Sequence, residues 1–382
     1  MLSNNIINVG VNNKNVDLFE GQYAVPNGMA YNSYLIIDKK IVLFDTVDIS
    51  VQTQWLQNLD NCLKNRQIDF LIISHMEPDH SACIQLLCNK FPNMKLIGNQ
   101  KTFIMLKQFF DIDLTNKIIT VSDGDTFSSG AHNFTFYFAP MVHWPEVMVT
   151  YESEEKLLFS ADAFGAFGAN NTNNWPDEAR RYYINIVGKF GAQVASLLKK
   201  LSGVKIESIC PLHGAILNEN LSYYLNLYSI WSGYQAEENG VFIAYSSIYG
   251  NTKHAVQLLE KQLKQQNILV LSADLARTDF SQNIANAFKF SKIVFATTTY
   301  NGSIFPVMED FLNHLKMLNF QNRKVWLIEN GSWSPQAVKN MRAKLETFKN
   351  ITISDCVVSI QSAVNSSNLA QINNLANDLI NK

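Results

Sequence analysis

The chain is poor in cysteine, has no block of like charge and contains no apolar run of membrane length. Its five cysteines, an odd number without a Cys-x-x-Cys pair, argue against a disulfide framework. Cys83 and Cys88, five apart on an expected helix, read as small buried apolar residues rather than ligands. Basic residues (31) and acidic ones (33) nearly cancel and form no long runs, so nothing suggests nucleic acid or another polyanion as partner. No apolar stretch approaches the ~20 residues of a membrane span. Met1-Leu2-Ser3-Asn4-Asn5 lacks the basic-then-apolar pattern of a signal peptide, so the expectation is a cytoplasmic protein without a membrane partner. What remains is a 382-residue chain, 47% hydrophobic, long for one domain and comfortable for two.

The densest chemistry lies in His75-Met76-Glu77-Pro78-Asp79-His80, directly after the apolar run Phe70-Leu71-Ile72-Ile73. Alternate positions of an extended segment point the same way, so His75, Glu77 and Asp79 can converge on one site. The competing reading is a polar loop satisfied by backbone and water. Two histidines and two carboxylates in six residues favour a metal. Three more candidates each end a short apolar segment, where layered sheets build sites: His143, Asp162 and His213. His132, His254 and His314 read as surface residues.

Around these residues the first half alternates strands and helices. Strands are expected at Ala30 to Ile37, Ile41 to Phe44, Phe70 to Ile73, Lys95 to Gly98, Lys117 to Val121 and Ser208 to Cys210. Helices are expected over Val51 to Leu63, Thr102 to Phe110 and, as one long element, Asp177 to Leu201. Between Val121 and Phe159 the pattern is β-rich, and 170–174 is a polar loop. The mixture indicates a layered α/β domain with its sheets inside.

The second half changes character. Gly240 to Tyr245 is an apolar strand followed by Ser246-Ser247-Ile248-Tyr249-Gly250-Asn251-Thr252 and a helix. Strand, hydroxyl-rich loop and helix N-terminus can cradle a phosphate, held by backbone N–H groups and the Ser247 and Thr252 hydroxyls. The loop is neither a Walker loop nor Gly-x-Gly-x-x-Gly, and a plain capped helix start is the alternative. Further strands at Leu269 to Ser272, Ile293 to Ala296, Lys324 to Ile328 and Ile351 to Val358 alternate with helices, which predicts a doubly wound parallel sheet of five strands. Thr298-Thr299-Tyr300-Asn301-Gly302 and Ser332-Trp333-Ser334 then fall after its third and fourth strands. We place the domains at 1–237 and 238–382.

His75-x-Glu77-x-Asp79-His80 with His143, Asp162 and His213 resembles, in order and spacing, the metallo-β-lactamase-like domain of flavodiiron proteins. Tyr31-Asn32-Ser33-Tyr34, Asp45-Thr46-Val47, His143-Trp144-Pro145 and Asp162-Ala163-Phe164-Gly165 resemble that family too, and the second half resembles flavodoxin. The resemblance implies an αββα sandwich followed by a flavodoxin-like sheet. It also implies two irons and one FMN per chain: His75, Glu77 and His143 on one iron, Asp79 and His213 on the other, Asp162 between them, and His80 as the uncertain ligand. Hydrolytic relatives usually carry His at the place of Glu77, and a hard anionic oxygen there shifts the expectation from zinc towards iron. FMN is expected on Ser247 to Thr252, Thr298 to Gly302 and Ser332 to Ser334, with Trp333 or Tyr300 stacked on its ring. The implied activity is reduction of O2 to water, with coupling of NO to N2O as the alternative. The implied partners are a separate electron donor, a rubredoxin-like protein or a reductase, since the chain stops without a fused rubredoxin. A head-to-tail homodimer, or a dimer of such dimers, is implied as well. Two departures stand out: Phe19-Glu20-Gly21 carries Glu where the family often has His, and Ser332 and Pro335 replace glycine-rich sequence. A zinc hydrolase joined to a flavodoxin is the rival reading.

Overall fold

The computed structural model describes residues 3–169 and 175–382; the expected loop at 170–174 lies outside the described residues. The chain separates into two compact units, residues 1–229 and 230–382. In the first unit a six-stranded mixed sheet runs in the order Ile6–Asn8, Tyr34–Ile37, Ile41–Phe44, Phe70–Ile72, Lys95–Gly98, Ile118–Thr120. A five-stranded sheet of Thr126–Ser128, Asn133–Phe138, Met148–Glu152, Leu157–Phe159 and Ser208–Cys210 faces it. Ile36, Val42, Phe44, Ile72 and Ile97 from one sheet pack against Phe134, Phe136, Met148, Leu157 and Phe159 from the other, in one buried cluster. Phe44 and Phe159 stack with centroids 4.0 Å apart across that seam. Burying such rings stabilises by roughly 1.5–3 kcal/mol each, which is why the apolar faces of both sheets meet rather than face water.

The second unit is a parallel sheet in the order Val270–Asp274, Glu238–Tyr245, Phe290–Tyr300, Arg323–Asn330, Ile351–Ile360. In sequence order that is 2-1-3-4-5, the flavodoxin-like arrangement. Its central strands carry buried apolar runs, Val241 to Ala244, Ile293 to Ala296 and Val325 to Ile328, because helices cover both faces. Val241, Ile243, Val294 and Ile328 meet Val256, Leu259 and Leu263 of helix Asn251–Gln265 and Ile372 and Leu375 of helix Ser366–Asn381. Among the described residues no helix is long and apolar enough to cross a membrane.

Three local expectations are corrected. The expected strand Ala30 to Ile37 breaks at Asn32-Ser33: Met29–Tyr31 pairs with Val11–Asn13, while Tyr34–Ile37 joins the large sheet. Asn32 leaves the ladder because its side chain is used elsewhere, as described below. The expected helix Asp177 to Leu201 is interrupted, running as Trp175–Tyr182, a π-helical turn Tyr183–Val187, a 3-10 turn Gly188–Phe190 and Gly191–Leu201. Gly188 and Gly191 weaken the helix there, and Tyr182 and Tyr183, where the α-helix gives way to the π turn, are buried. Finally, His132 is buried rather than on the surface, with its Nδ1 3.1 Å from Glu152 Oε1.

Candidate functional site

The opening motif does not act as a strand. Its strand ends at Ile72, and Pro78–Ser81 form one helical turn, so the alternation argument fails. The loop instead sends His75 and Glu77 one way, and the helical turn sends Asp79 and His80 another. Asp45 fixes the start of this loop: its Oδ1 accepts from the N–H groups of Ser74 at 2.7 Å and His75 at 3.2 Å. Burial pushes the Asp45 carboxyl up to about 6.

Two clusters result. His75, Glu77, His143 and Asp162 form one, and Asp79, His80 and His213 the other, with each set of ligand atoms mutually within 4.8 Å. In the first, Glu77 Oε2 lies 3.2 Å from His75 Nε2 and 3.1 Å from His143 Nε2. In the second, His213 Nε2 lies 3.1 Å from Asp79 Oδ2 and 3.0 Å from His80 Nε2. Asp162 joins them. Its Oδ2 is 3.0 Å from His143 Nε2 and 3.5 Å from His75 Nε2, while its Oδ1 is 3.2 Å from His80 Nε2. All seven expected ligand candidates, His80 included, are therefore brought together.

Each arm of the site has a mechanical support. Ala161 and Phe164, at φ 51 and 65, form the tight turn that presents Asp162. Ser160 Oγ donates to the Ala163 carbonyl at 2.6 Å, and the Tyr228 hydroxyl accepts from the Phe164 N–H. The His213 loop is held by Asn32, whose Nδ2 donates to the Pro211 and Gly214 carbonyls at 2.8 and 2.9 Å, and by the Tyr34 hydroxyl on Pro211 at 2.7 Å. Gly214 sits at φ 78 with Ala166 so close that a Cβ would lie 3.2 Å from it, so no side chain fits that turn.

The tautomers are set from behind. His75 Nδ1 donates to Glu146 Oε1 at 2.7 Å, and His213 Nδ1 donates to the Ala30 carbonyl at 2.8 Å, which leaves both Nε2 atoms facing the clusters. A buried carboxylate behind a ligand histidine orients the ring and raises its basicity. Glu146 also takes the Met76 N–H at 2.8 Å, fixing the loop and the ring together. The sequence reading gave Glu146 no role. The only signal was a carboxylate three residues after His143 in a run otherwise apolar.

The charges show what the site is built for. Burial alone would lower the His143 imidazole, yet Asp162 and Glu77 hold it up at about 9. The same is true of His75, raised well above the usual histidine range by Glu146 and then Glu77. Burial would raise the Glu77 carboxyl, but His143 and His75 hold it at about 2. So the buried carboxylates favour positive charge in their midst. Asp79 Oδ1 and His80 Nδ1 are buried without a hydrogen-bond partner, and Asp79 Oδ2 and Asp162 Oδ1 have only the Nε2 atoms of His213 and His80 within reach of a hydrogen bond. Two imidazole nitrogens at 3.0 Å can share one proton but cannot satisfy those oxygens as well. A pair of cations, one per cluster, resolves both problems, and the imidazole and carboxylate donors suit a first-row transition metal.

Aromatic rings close the back of the site. Phe19 and Tyr182 pack on His213 at 5.1 and 5.6 Å, and Trp144 on His75 at 5.2 Å. The Tyr182 hydroxyl is fully buried and unpartnered. Burial, then the charges of Asp162, Asp79 and Glu77, raises it well above the usual phenol range, so it keeps its proton. Tyr182 was also missed from sequence, because its place against His213 is set by tertiary packing. In front, a cavity of about 1100 Å³ reaches Glu77 and Asp79 past Glu20, Asp48 and several amides. Glu20 is raised by burial and by Glu77.

In the second unit a cleft of about 540 Å³ opens at the carboxyl end of the parallel sheet. Ser247, Ile248, Tyr249, Asn251, Thr252, Thr298 to Gly302 and Ser332 to Ser334 line it, joined by Asn330, Gly331 and Ser362, which sequence did not single out. Gly250, at φ 88, is the expected residue outside the lining and turns the chain into helix Asn251–Gln265. Tyr249 and Trp333 are each 91% exposed, two large rings with nothing on them at the mouth of a cleft walled by hydroxyls and backbone. A flat cofactor with a phosphate tail fits that combination.

A protein-family model described as "ODP family beta lactamase" matches residues 29–214. An anaerobic nitric oxide reductase flavorubredoxin of Vibrio vulnificus is 29% identical over 358 residues, 90% of this chain and 72% of that one. An uncharacterized protein of Methanocaldococcus jannaschii is 28% identical over 357 residues, 92% of this chain and 89% of that one. Among solved structures, rubredoxin oxygen:oxidoreductase from Desulfovibrio gigas superposes with TM-score 0.91 at 25% identity, covering 100% of this chain and 97% of that chain. The flavodiiron protein of Giardia intestinalis shares the fold at TM-score 0.89 and 24% identity, covering 98% of this chain and 94% of that one.

Proposed function

The chain belongs to the flavodiiron proteins, a family of oxidoreductases with a non-haem di-iron site and FMN, and from that premise we propose that it reduces O2 to water. In this reading His75, Glu77 and His143 hold one iron, Asp79, His80 and His213 the other, and Asp162 serves both. The observation that carries it is the divided Asp162 carboxylate, one oxygen 3.0 Å from His143 Nε2 and the other 3.2 Å from His80 Nε2. Ser247 to Thr252, Thr298 to Gly302 and Ser332 to Ser334 receive FMN. When bound, the irons would supply one-electron chemistry and the flavin electrons in pairs. Water formation needs four electrons, which two irons and one flavin hold together.

The protein's own residues do the rest. Glu146 and the Ala30 carbonyl keep the His75 and His213 Nε2 lone pairs turned to the site. Phe19, Trp144 and Tyr182 keep bulk water from its back. Tyr182 holds a proton at its hydroxyl, kept there by burial and by the charges of Asp162 and Asp79. Glu20 stands at the rim of the cavity, its carboxyl raised by burial and by Glu77.

A second reading, coupling of two NO to N2O, is favoured by the similarity to a nitric oxide reductase flavorubredoxin. Steady-state consumption of O2 and of NO by the anaerobically prepared protein, with an artificial donor, separates the two. We expect O2 to be consumed faster; a clear preference for NO would replace the first reading by the second. A separate electron-donor protein and a homodimer belong to the same proposal, and active protein whose mass is only that of a monomer would remove the dimer.

A further inference from the structure

One hydroxyl of the second unit's cleft is already committed. Strand Phe290–Tyr300 outruns its neighbours and folds back on Ser303–Ile304, with Thr299 opposite Ile304 and Tyr300 opposite Ser303. Asn301 and Gly302, at φ 50 and 74, are the two left-handed residues that a tight two-residue hairpin turn requires. Thr299 thus stands at the base of a stiff hairpin. Its Oγ1 accepts from the backbone N–H groups of Gln336 at 2.9 Å and Ala337 at 3.1 Å.

Those donors open helix Ala337–Leu345, whose N-cap residue Gln336 offers no side-chain cap of its own. First-turn N–H groups have no partner within the helix, so the acceptor must come from elsewhere. Glu329 Oε2 takes the next donor, the Val338 N–H, at 2.8 Å. The helix is tied to the hairpin again through Asn340 Nδ2, which donates to the Gly302 carbonyl at 3.2 Å. At the other end of the Trp333 loop, the Gly331 N–H donates to the Ile360 carbonyl at 2.9 Å, and the Ser362 hydroxyl donates to Ser332 Oγ at 2.9 Å. Trp333-Ser334-Pro335 is therefore a strap fastened at both ends and bare in the middle.

We infer that Thr299 is a positioning residue of the cofactor cleft: its hydroxyl joins the hairpin wall to the Trp333 wall and so sets the gap into which a flavin ring enters. The inference rests on the FMN reading above and refines it. Both acceptor positions of the Thr299 hydroxyl are taken by the helix N–H groups. Its effect on FMN passes through Trp333.

The test is FMN titration of the flavin-stripped full chain, followed by fluorescence quenching, with visible circular dichroism of the bound flavin. Thr299→Val keeps the shape and removes the acceptor. We expect its FMN dissociation constant to rise about tenfold, as loss of a helix cap does, with an altered flavin dichroism. Thr299→Ser restores both to within about twofold. Asn340→Ala loosens the same link from the helix side and shifts affinity the same way by less; it carries the test should Thr299→Val fold poorly. A parent chain that binds FMN while Thr299→Val binds it equally well, with unchanged dichroism, overturns this inference alone. So does a Thr299→Ser chain that fails to recover. A parent chain that takes up no FMN overturns the cofactor reading itself.

Discussion

In the first unit seven side chains from four segments converge on a largely buried site, with His75 and His213 each held by a hydrogen bond from behind. In the second unit a cleft of loops and backbone stays open to water, with its two largest rings almost bare. The first is built by side-chain identity, so a substitution that removes a donor should cost most of the metal. The second is built by chain path, so most single changes there should be graded. Metal ions demand fixed ligand number and charge, whereas a flat cofactor is met by shape, stacking and a phosphate cradle. The comparison therefore predicts a ranking of effects.

The largest is Asp162→Ala. It removes the carboxylate shared by both clusters, and we expect loss of nearly all iron and of activity, with FMN retained in the separate unit. Metal analysis and flavin absorbance on the same sample check this; loss of both cofactors together would break the contrast between the units. Next comes Glu146→Gln, which leaves every proposed ligand in place but weakens the acceptor behind His75. Iron affinity should fall on the order of 10–100-fold in a chelator competition, with FMN affinity unmoved. Trp333→Ala should be milder, weakening FMN by several-fold, in line with a stacking contribution of about 0.5–1.5 kcal/mol, and leaving iron content unchanged.

The smallest effect lies outside both sites. Asp38 accepts from the Ser129 hydroxyl at 2.7 Å and the His132 N–H at 3.0 Å, and so ties two turns of the first unit. Its slight burial would raise the carboxyl, but the His132 N–H and Ser129 hydroxyl hold it lower, at about 2. A depressed folded-state value stabilises above the ordinary carboxylate range and is lost as pH falls through the folded value. Asp38→Asn should therefore remove part of the acid sensitivity between about pH 4 and pH 2. At neutral pH it should cost under about 1 kcal/mol, because the carboxylate is mostly in water. Denaturant unfolding at several pH values checks this.

The same contrast governs what could be read from the residues. His75-Met76-Glu77-Pro78-Asp79-His80 was legible as metal chemistry because ligand side chains are rarely crowded for packing reasons. The argument from strand alternation was wrong in detail, since Pro78 starts a helical turn that sends Asp79 and His80 to the second cluster. The strands of the second unit were legible because a sheet covered on both faces is written as continuous apolar runs. Glu146, Tyr182 and His132 were not legible. Their placement depends on tertiary packing: a carboxylate behind a ring, a phenol packed on the His213 ring, and an imidazole sealed under Glu152. The Asn32 side chain likewise gives up a strand position to hold the His213 loop, and no local propensity announces that.

The central claim is that one chain carries an iron pair in its first unit and a flavin in its second. Quantifying metals and flavin per chain in anaerobically purified protein tests it most directly. The account predicts two irons and one FMN, with little zinc; zinc in place of iron, or protein without a yellow cofactor, would contradict it.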